Sequence, residues 1–283
     1  MKLNLHKLSK KINLDKRSIH LRELIIECLQ QEQRGHVGSS MSLVEIIRVL
    51  YDDIMKFDSK RANFEARDRF ILSKGHGCLA LYIMLFEKKF ITKKQLLSVG
   101  KFNSILGGHP EHIVPGIEFS TGALGHGFSI ACGVALSAKI KKQKYKTFVV
   151  MGDGEINEGS VWESALSVSK HKLNNLITII DYNKFQSYGS LVETSNMSAI
   201  KKKWESFGFD VVEINGHDVK KLKQTFKIAK NKKNRPIVII CYTTKGKGLK
   251  FAENIPNWHH RSSIDKLLIG KMKETLRNYN YEK

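Results

Sequence analysis

The stretch that most restricts the fold runs from Thr147 to Gln186, "TFVVMGDGEINEGSVWESALSVSKHKLNNLITIIDYNKFQ". Two apolar, β-rich runs, "TFVVM" and "LITII", bracket a segment of helical length from about Gly159 to Lys172. Strand, crossover helix and second strand make up the unit from which parallel sheets are assembled, because the chain must return over the sheet before it can pair again in the same direction. A polar residue lies just past each strand, Asp153 after the first and Asn183 thirty residues later. If the strands are neighbours, both side chains reach the carboxyl edge, where open parallel sheets bind ligands.

Asp and Asn oxygens are hard ligands suited to Mg²⁺ or Ca²⁺, and two of them leave coordination positions for phosphate oxygens, a carbonyl and water. Gly152 and Gly154 let a diphosphate approach the backbone, and the N-terminus of the following helix favours its charge. A "GDG" turn is commonplace by itself. With an Asn at the matching strand end, the pattern points to a metal-bridged diphosphate.

Further β-rich runs, "RFILS" (69 to 73), "FDVVEI" (209 to 214) and "PIVIICY" (236 to 242), extend the sheet, while residues 17 to 33 and 42 to 55 carry apolar residues at helical spacing. Near-continuous apolar strands separated by helices predict a three-layer α/β/α fold with a mostly parallel sheet, its strand order not legible. No linker interrupts the 283 residues. The expectation is one domain over 1–283, with a core of about 15–265 and a charged helical tail, "KLLIGKMKETLRNYNYEK".

Lys and Arg number 48 against 27 Asp and Glu, a formal net charge of +21. The basic runs "KIKKQKYK" (139 to 146), "KKK" (201 to 203) and "KNKKNR" (230 to 235) lack interleaved aromatics and any nucleic-acid motif. They read as solvated lysines between elements, so no nucleic-acid partner is expected. Cys28, Cys78, Cys132 and Cys241 form no CxxC pair, which fits a reducing cytoplasm better than a disulfide or zinc framework. No run approaches the roughly 18 apolar residues of a membrane span, and none resembles an export signal.

Of eleven histidines, His36, His76, His109 and His126 sit beside glycine in polar loops. Four such residues suggest a site that handles hydroxyl groups, since imidazole gives and takes protons near neutrality.

At this point the motifs resemble a family. "GDGEINEGSVWES" with "LITIIDYNKFQ" is similar to the thiamine-diphosphate signature, and "RGHVGSSMSLVEI", "RDRFILSKGHG", "GGHPE", "STGALGHGFSIACG", "NGHD" and "KGKG" follow in the order of the N-terminal half of transketolase. The resemblance implies a thiamine diphosphate site with Mg²⁺, Ca²⁺ or Mn²⁺ being alternatives, held by Asp153, Asn183 and the carbonyl of Phe185. It carries over Gly122, Leu124, His126, Gly152, Gly154, Glu155, Glu158 and Gln186 as cofactor contacts. His36, His76 and His109 would line a sugar channel with His259 or His260, His260 being preferred. Glu158 and Glu163 match acids found between the two active sites of a dimer, although a helix N-terminus alone favours acid there.

In this family a glutamate on a separate pyrimidine-binding domain activates the cofactor, and nothing after "HHRSS" supplies that domain. The resemblance therefore implies the N-terminal subunit of a split transketolase, transferring a two-carbon ketol unit between sugars, with a C-terminal partner subunit in an α2β2 assembly. A related acyloin or keto-sugar enzyme is the alternative; a non-catalytic basic protein on the same fold is the alternative of another class.

Overall fold

In the computed structural model, residues 4–195, 197 and 199–280 are described; the first three residues and the last three of the tail lie outside them. Seven strands occur in chain order among these residues: β1 (Arg69–Leu72), β2 (Thr147–Gly152), β3 (Leu176–Tyr182), β4 (Phe185–Gln186), β5 (Gly189–Ser190), β6 (Asp210–Asn215) and β7 (Ile237–Tyr242). All five predicted strands join one sheet in the order β1-β2-β3-β7-β6, with every pairing parallel. The short β4 and β5 form a separate antiparallel hairpin just past β3.

Alternation along the strands divides the core. Phe148, Val150, Ile177 and Ile179 pack on one face, and Val149, Met151, Leu176 and Ile180 on the other, as the two-residue period of a strand requires. The first face is covered by helices Lys16–Glu32, Cys78–Glu87 and Val219–Lys230; the second by His126–Ile140, Gly159–Lys170 and Ile200–Ser206. Burial on both faces explains why these strands read as apolar runs.

Several local expectations change. The helical pattern over 42–55 is divided into Val44–Val49 and a π turn, Leu50–Ile54. "KKK" lies inside helix Ile200–Ser206 instead of between elements, because Ile200 and Trp204, four residues apart, bury one face and leave Lys201 and Lys202 outside. The tail forms helix Lys266–Asn278, whose Ile269, Met272 and Leu276 are buried against helix Lys16–Glu32. An N-terminal helix, Leu5–Lys11, was not apparent in the sequence and packs near β6 and β7. Among the described residues no helix is long and apolar enough to cross a membrane.

Candidate active site

β2 and β3 are neighbours with Gly152 opposite Asp181, so Asp153 and Asn183 both stand just past the carboxyl ends of adjacent strands. They line a cleft of about 270 Å³. Asp153 is 1% exposed, and its carboxylate accepts the N–H of Gly154 at 3.0 Å and that of Lys184. Burial, with the Asp181 carboxylate nearby, pushes its pKa up to about 7. A buried acid facing a second carboxylate suits a cation. Asn183 accepts the Phe185 N–H at 3.0 Å through Oδ1. Among the described residues no three His, Cys, Asp or Glu side chains converge as a metal site. A cation here would therefore depend on the Asn oxygen, a carbonyl and its ligand's own oxygens, the donor set of Mg²⁺ at a phosphate.

Glycine shapes the cradle. A Cβ on Gly154 would come within 2.8 Å of Gln186 Cγ, and one on Gly122, at φ +152, within 3.0 Å of the His109 ring. Gly122 and Leu124 line the cleft with Gly152, Gly154 and Gln186. Glu155 reaches the cleft wall, but its carboxylate accepts Ser73 Oγ–H and the N–H groups of Gly125 (2.9 Å) and Gly152 (3.0 Å). It clamps three loops of the cradle together.

Two buried lysines went unnoticed in the sequence. Lys74 Nζ donates to Asp181 at 2.6 Å, and Asp181 also accepts from Ser42 Oγ at 2.7 Å and from Thr243 Oγ1. Burial alone would raise the Asp181 pKa; the Lys74 ammonium outweighs it and holds the carboxyl below its usual range. Lys245 Nζ donates to the Ser187 carbonyl at 2.8 Å, and burial together with Lys74 pushes its pKa down to about 8. Both line the cleft. The signal was a lysine beside glycine in "SKGHG" and "KGKG".

A second buried network anchors the Lys245 loop. Arg22 and Glu45 form a bidentate pair at 2.6 and 2.9 Å with side chains 0% and 1% exposed. Arg22 Nε also donates to the Lys247 carbonyl at 2.8 Å. His217 Nε2 accepts the Thr244 N–H at 2.9 Å, which leaves Nδ1 to donate to Glu45 at 2.7 Å. Removing one partner of such a buried pair costs about 3–5 kcal/mol, so the loop is firmly placed.

At the other end of the cleft the histidines gather. The His36 ring centre lies 5.4 Å from His76, 6.0 Å from His109, 5.3 Å from His259 and 4.6 Å from His260. His36, His76, His109 and His259 line the main cleft; His260 lines an adjoining cavity instead. Of the two candidates it is His259, not the preferred His260, that lines the main cleft, because the turn after Pro256–Trp258 points the earlier ring inward against His76 and Tyr188. Burial, reinforced by neighbouring rings and lysines, holds His36 at about 4 and His259 at about 3, and drives His76 well down. These three rings are neutral near pH 7 and offer both a donor and an acceptor.

Other predicted contacts stand apart. His126 is exposed at the start of helix His126–Ile140, and Glu158 and Glu163 are exposed around the start of helix Gly159–Lys170. None of the three lines the cleft.

Fold and cleft define a parallel α/β ligand-binding protein with a polarised site, charged at one end and imidazole-lined at the other. The family "Transketolase, thiamine diphosphate binding domain" matches residues 14–280, and the chain belongs to this family of transferases as a thiamine-diphosphate-binding domain. It is 42% identical over 239 residues to an apulose-4-phosphate transketolase subunit from Phocaeicola vulgatus, covering 84% of this chain and 85% of that one. It is 35% identical over 243 residues to the 6-deoxy-6-sulfo-D-fructose transketolase subunit SqwG of a Clostridium species, covering 86% and 88%. The transketolase structure from Campylobacter jejuni superposes with a TM-score of 0.86 at 29% identity, over 98% of this chain and 43% of that one. The chain thus spans most of the subunit relatives and under half of the solved transketolase.

Proposed function

We propose that this chain is the N-terminal subunit of a two-chain transketolase, moving a two-carbon ketol unit from a ketose to an aldose. A C-terminal subunit supplies the pyrimidine-binding half, in an α2β2 assembly. The observation that carries this reading is one cleft joining the Asp153 and Asn183 strand ends to four histidine rings. Names of the relatives, with apulose-4-phosphate and 6-deoxy-6-sulfo-D-fructose in the two cases cited, support a phosphorylated or otherwise modified sugar as substrate. The free, buried state of the four cysteines supports a cytoplasmic location.

Thiamine diphosphate, when bound, supplies the thiazolium carbon at which the ketose carbon–carbon bond is cleaved. Asp153, Asn183 and the Phe185 carbonyl would hold Mg²⁺, with Ca²⁺ or Mn²⁺ as alternatives, and Gly154 would contact the diphosphate through its backbone. Lys74 and Lys245 add positive charge beside it, without competition from bulk water. His36, His76, His109 and His259 orient the sugar hydroxyls. A neutral ring can take a hydroxyl proton at one nitrogen while donating at the other, the requirement for proton transfer near pH 7. Exposed Glu158 and Glu163 would face a neighbouring subunit.

The test is reconstitution. This chain mixed with its purified C-terminal partner should transfer a ketol unit in the presence of thiamine diphosphate and Mg²⁺, and each chain alone should be inactive. Full activity from this chain alone, or none from the mixture, would overturn the reading.

A further inference from the structure

A side cavity of about 200 Å³ opens off the histidine ring and shares His36, His76 and His109 with the main cleft; Glu32, Arg34 and His260 contribute its other polar walls. Glu32 is the final residue of helix Lys16–Glu32, which has no basic residue in its last turn. A helix C-terminus carries partial negative charge, so the position disfavours a carboxylate. Its side chain is only 8% exposed, and the nearest cationic atom, Arg34 Nε, is 3.9 Å away. That exceeds hydrogen-bond distance, and no described residue donates a hydrogen bond to this carboxyl group.

The surrounding backbone makes room for this acid. Gly100 has φ +70, and a Cβ there would fall 2.7 Å from Glu32 Cγ. Burial raises the Glu32 pKa, with Arg34 opposing. An acid whose side chain is largely covered, whose one ion-pair partner is a long contact to the exposed Arg34, and which is set against a helix dipole gains little from its place in the fold. Its oxygens are acceptors awaiting donors.

We propose that Glu32 selects the sugar, by accepting hydrogen bonds from a hydroxyl-bearing branch or end of the substrate seated in this side cavity. The proposal rests on the transketolase reading and names the part of the substrate that the cavity takes. Hydroxyl groups fit the walls because they donate to Glu32 and exchange hydrogen bonds in both directions with imidazole. A phosphate or sulfonate would find a cation only in the exposed Arg34 and would meet the Glu32 carboxylate 3.9 Å from it, and an ammonium group could accept nothing from the ring N–H groups. The anionic end of the substrate therefore points elsewhere. At about 30 Å³ per water, the cavity has room for roughly six waters or one short polyol.

The probe is erythritol, a four-carbon polyol, titrated into the full chain while histidine ring resonances are followed by NMR. Saturable shifts at His260 and His36 are expected, weakened about tenfold in Glu32→Gln, while 1,4-butanediol, which keeps only the two end hydroxyls, binds more weakly than erythritol. With the partner subunit present, Glu32→Gln should lower kcat/KM about tenfold for erythrose and leave the two-carbon acceptor glycolaldehyde unchanged. Thiamine diphosphate affinity equal to that of the unsubstituted protein checks folding. No erythritol shifts, or shifts equally strong in Glu32→Gln, would overturn the proposal. Shifts as expected in a mixture that transfers no ketol unit would sink the transketolase reading and leave the polyol site standing.

Discussion

At the strand ends, Asp153, Lys74 and Lys245 carry ionisable groups in nearly complete burial, each tied to a carboxylate, a carbonyl or a backbone N–H. Across the same cleft, His36, His76 and His259 hold no charge near neutrality and touch one another mainly ring to ring. The first arrangement is charged and held in place by its own hydrogen bonds. The second leaves imidazole nitrogens for exchangeable hydroxyl partners. On the proposed reading, anchoring an anionic cofactor and handling a neutral polyol would call for these opposite solutions, and one sheet edge carries both.

The comparison is broken most severely at Asp153. Asp153→Ala should weaken Mg²⁺-dependent thiamine diphosphate binding by about 100-fold or more, since even outer-shell partners of a metal cost 10- to 100-fold; calorimetry on the reconstituted assembly reads this, and unchanged affinity would remove the metal assignment. Lys245→Met keeps the side-chain volume and removes the charge. Losing one charge-assisted contact should weaken diphosphate binding by about 10- to 100-fold while the melting temperature holds or rises.

His259→Gln probes the opposite end and should separate the two functions. kcat/KM for ketol transfer should fall by about 10- to 100-fold, within the range of lost acid–base catalysis, with cofactor affinity unaffected. An equal fall in cofactor binding would mean that the two ends are not distinct.

The smallest effect is on stability. The His36 and His259 pKa values are depressed from 6.5 to about 4 and about 3. Below pH 6.5 the unfolded chain takes up protons that the folded chain refuses, so stability declines as pH falls from about 6.5 towards 4. The partly exposed His36 should contribute on the order of 2 kcal/mol after allowance for solvent screening. Urea midpoints between pH 7 and pH 4.5 measure it, and a His36→Asn variant should show a shallower decline.

Much of the diphosphate end was legible because its evidence is local. Strand period, crossover length and the position of Asp153 and Asn183 lie within forty residues of chain, from Thr147 to Gln186. The lysines were not legible in the same way. A lysine beside a glycine reads as solvated until its partner is known, and the partner of Lys74 is Asp181, 107 residues away. "KKK" misled for a related reason, since only the burial of Ile200 and Trp204 makes that segment helical. His259 and His260 were adjacent and chemically equal in sequence; a single residue of chain rotation decides which ring enters the cleft.

Short-range pattern sufficed for the parallel α/β architecture and for placing Asp153 and Asn183 just past two strand ends, because hydrophobic period and connection length act over a few turns of chain. Strand order, the burial of Lys74 and Lys245, the meeting of His36 with His259, and the cavity around Glu32 were settled by packing. Each depends on segments distant in sequence whose desolvation and hydrogen bonding are set when the helices close over the sheet.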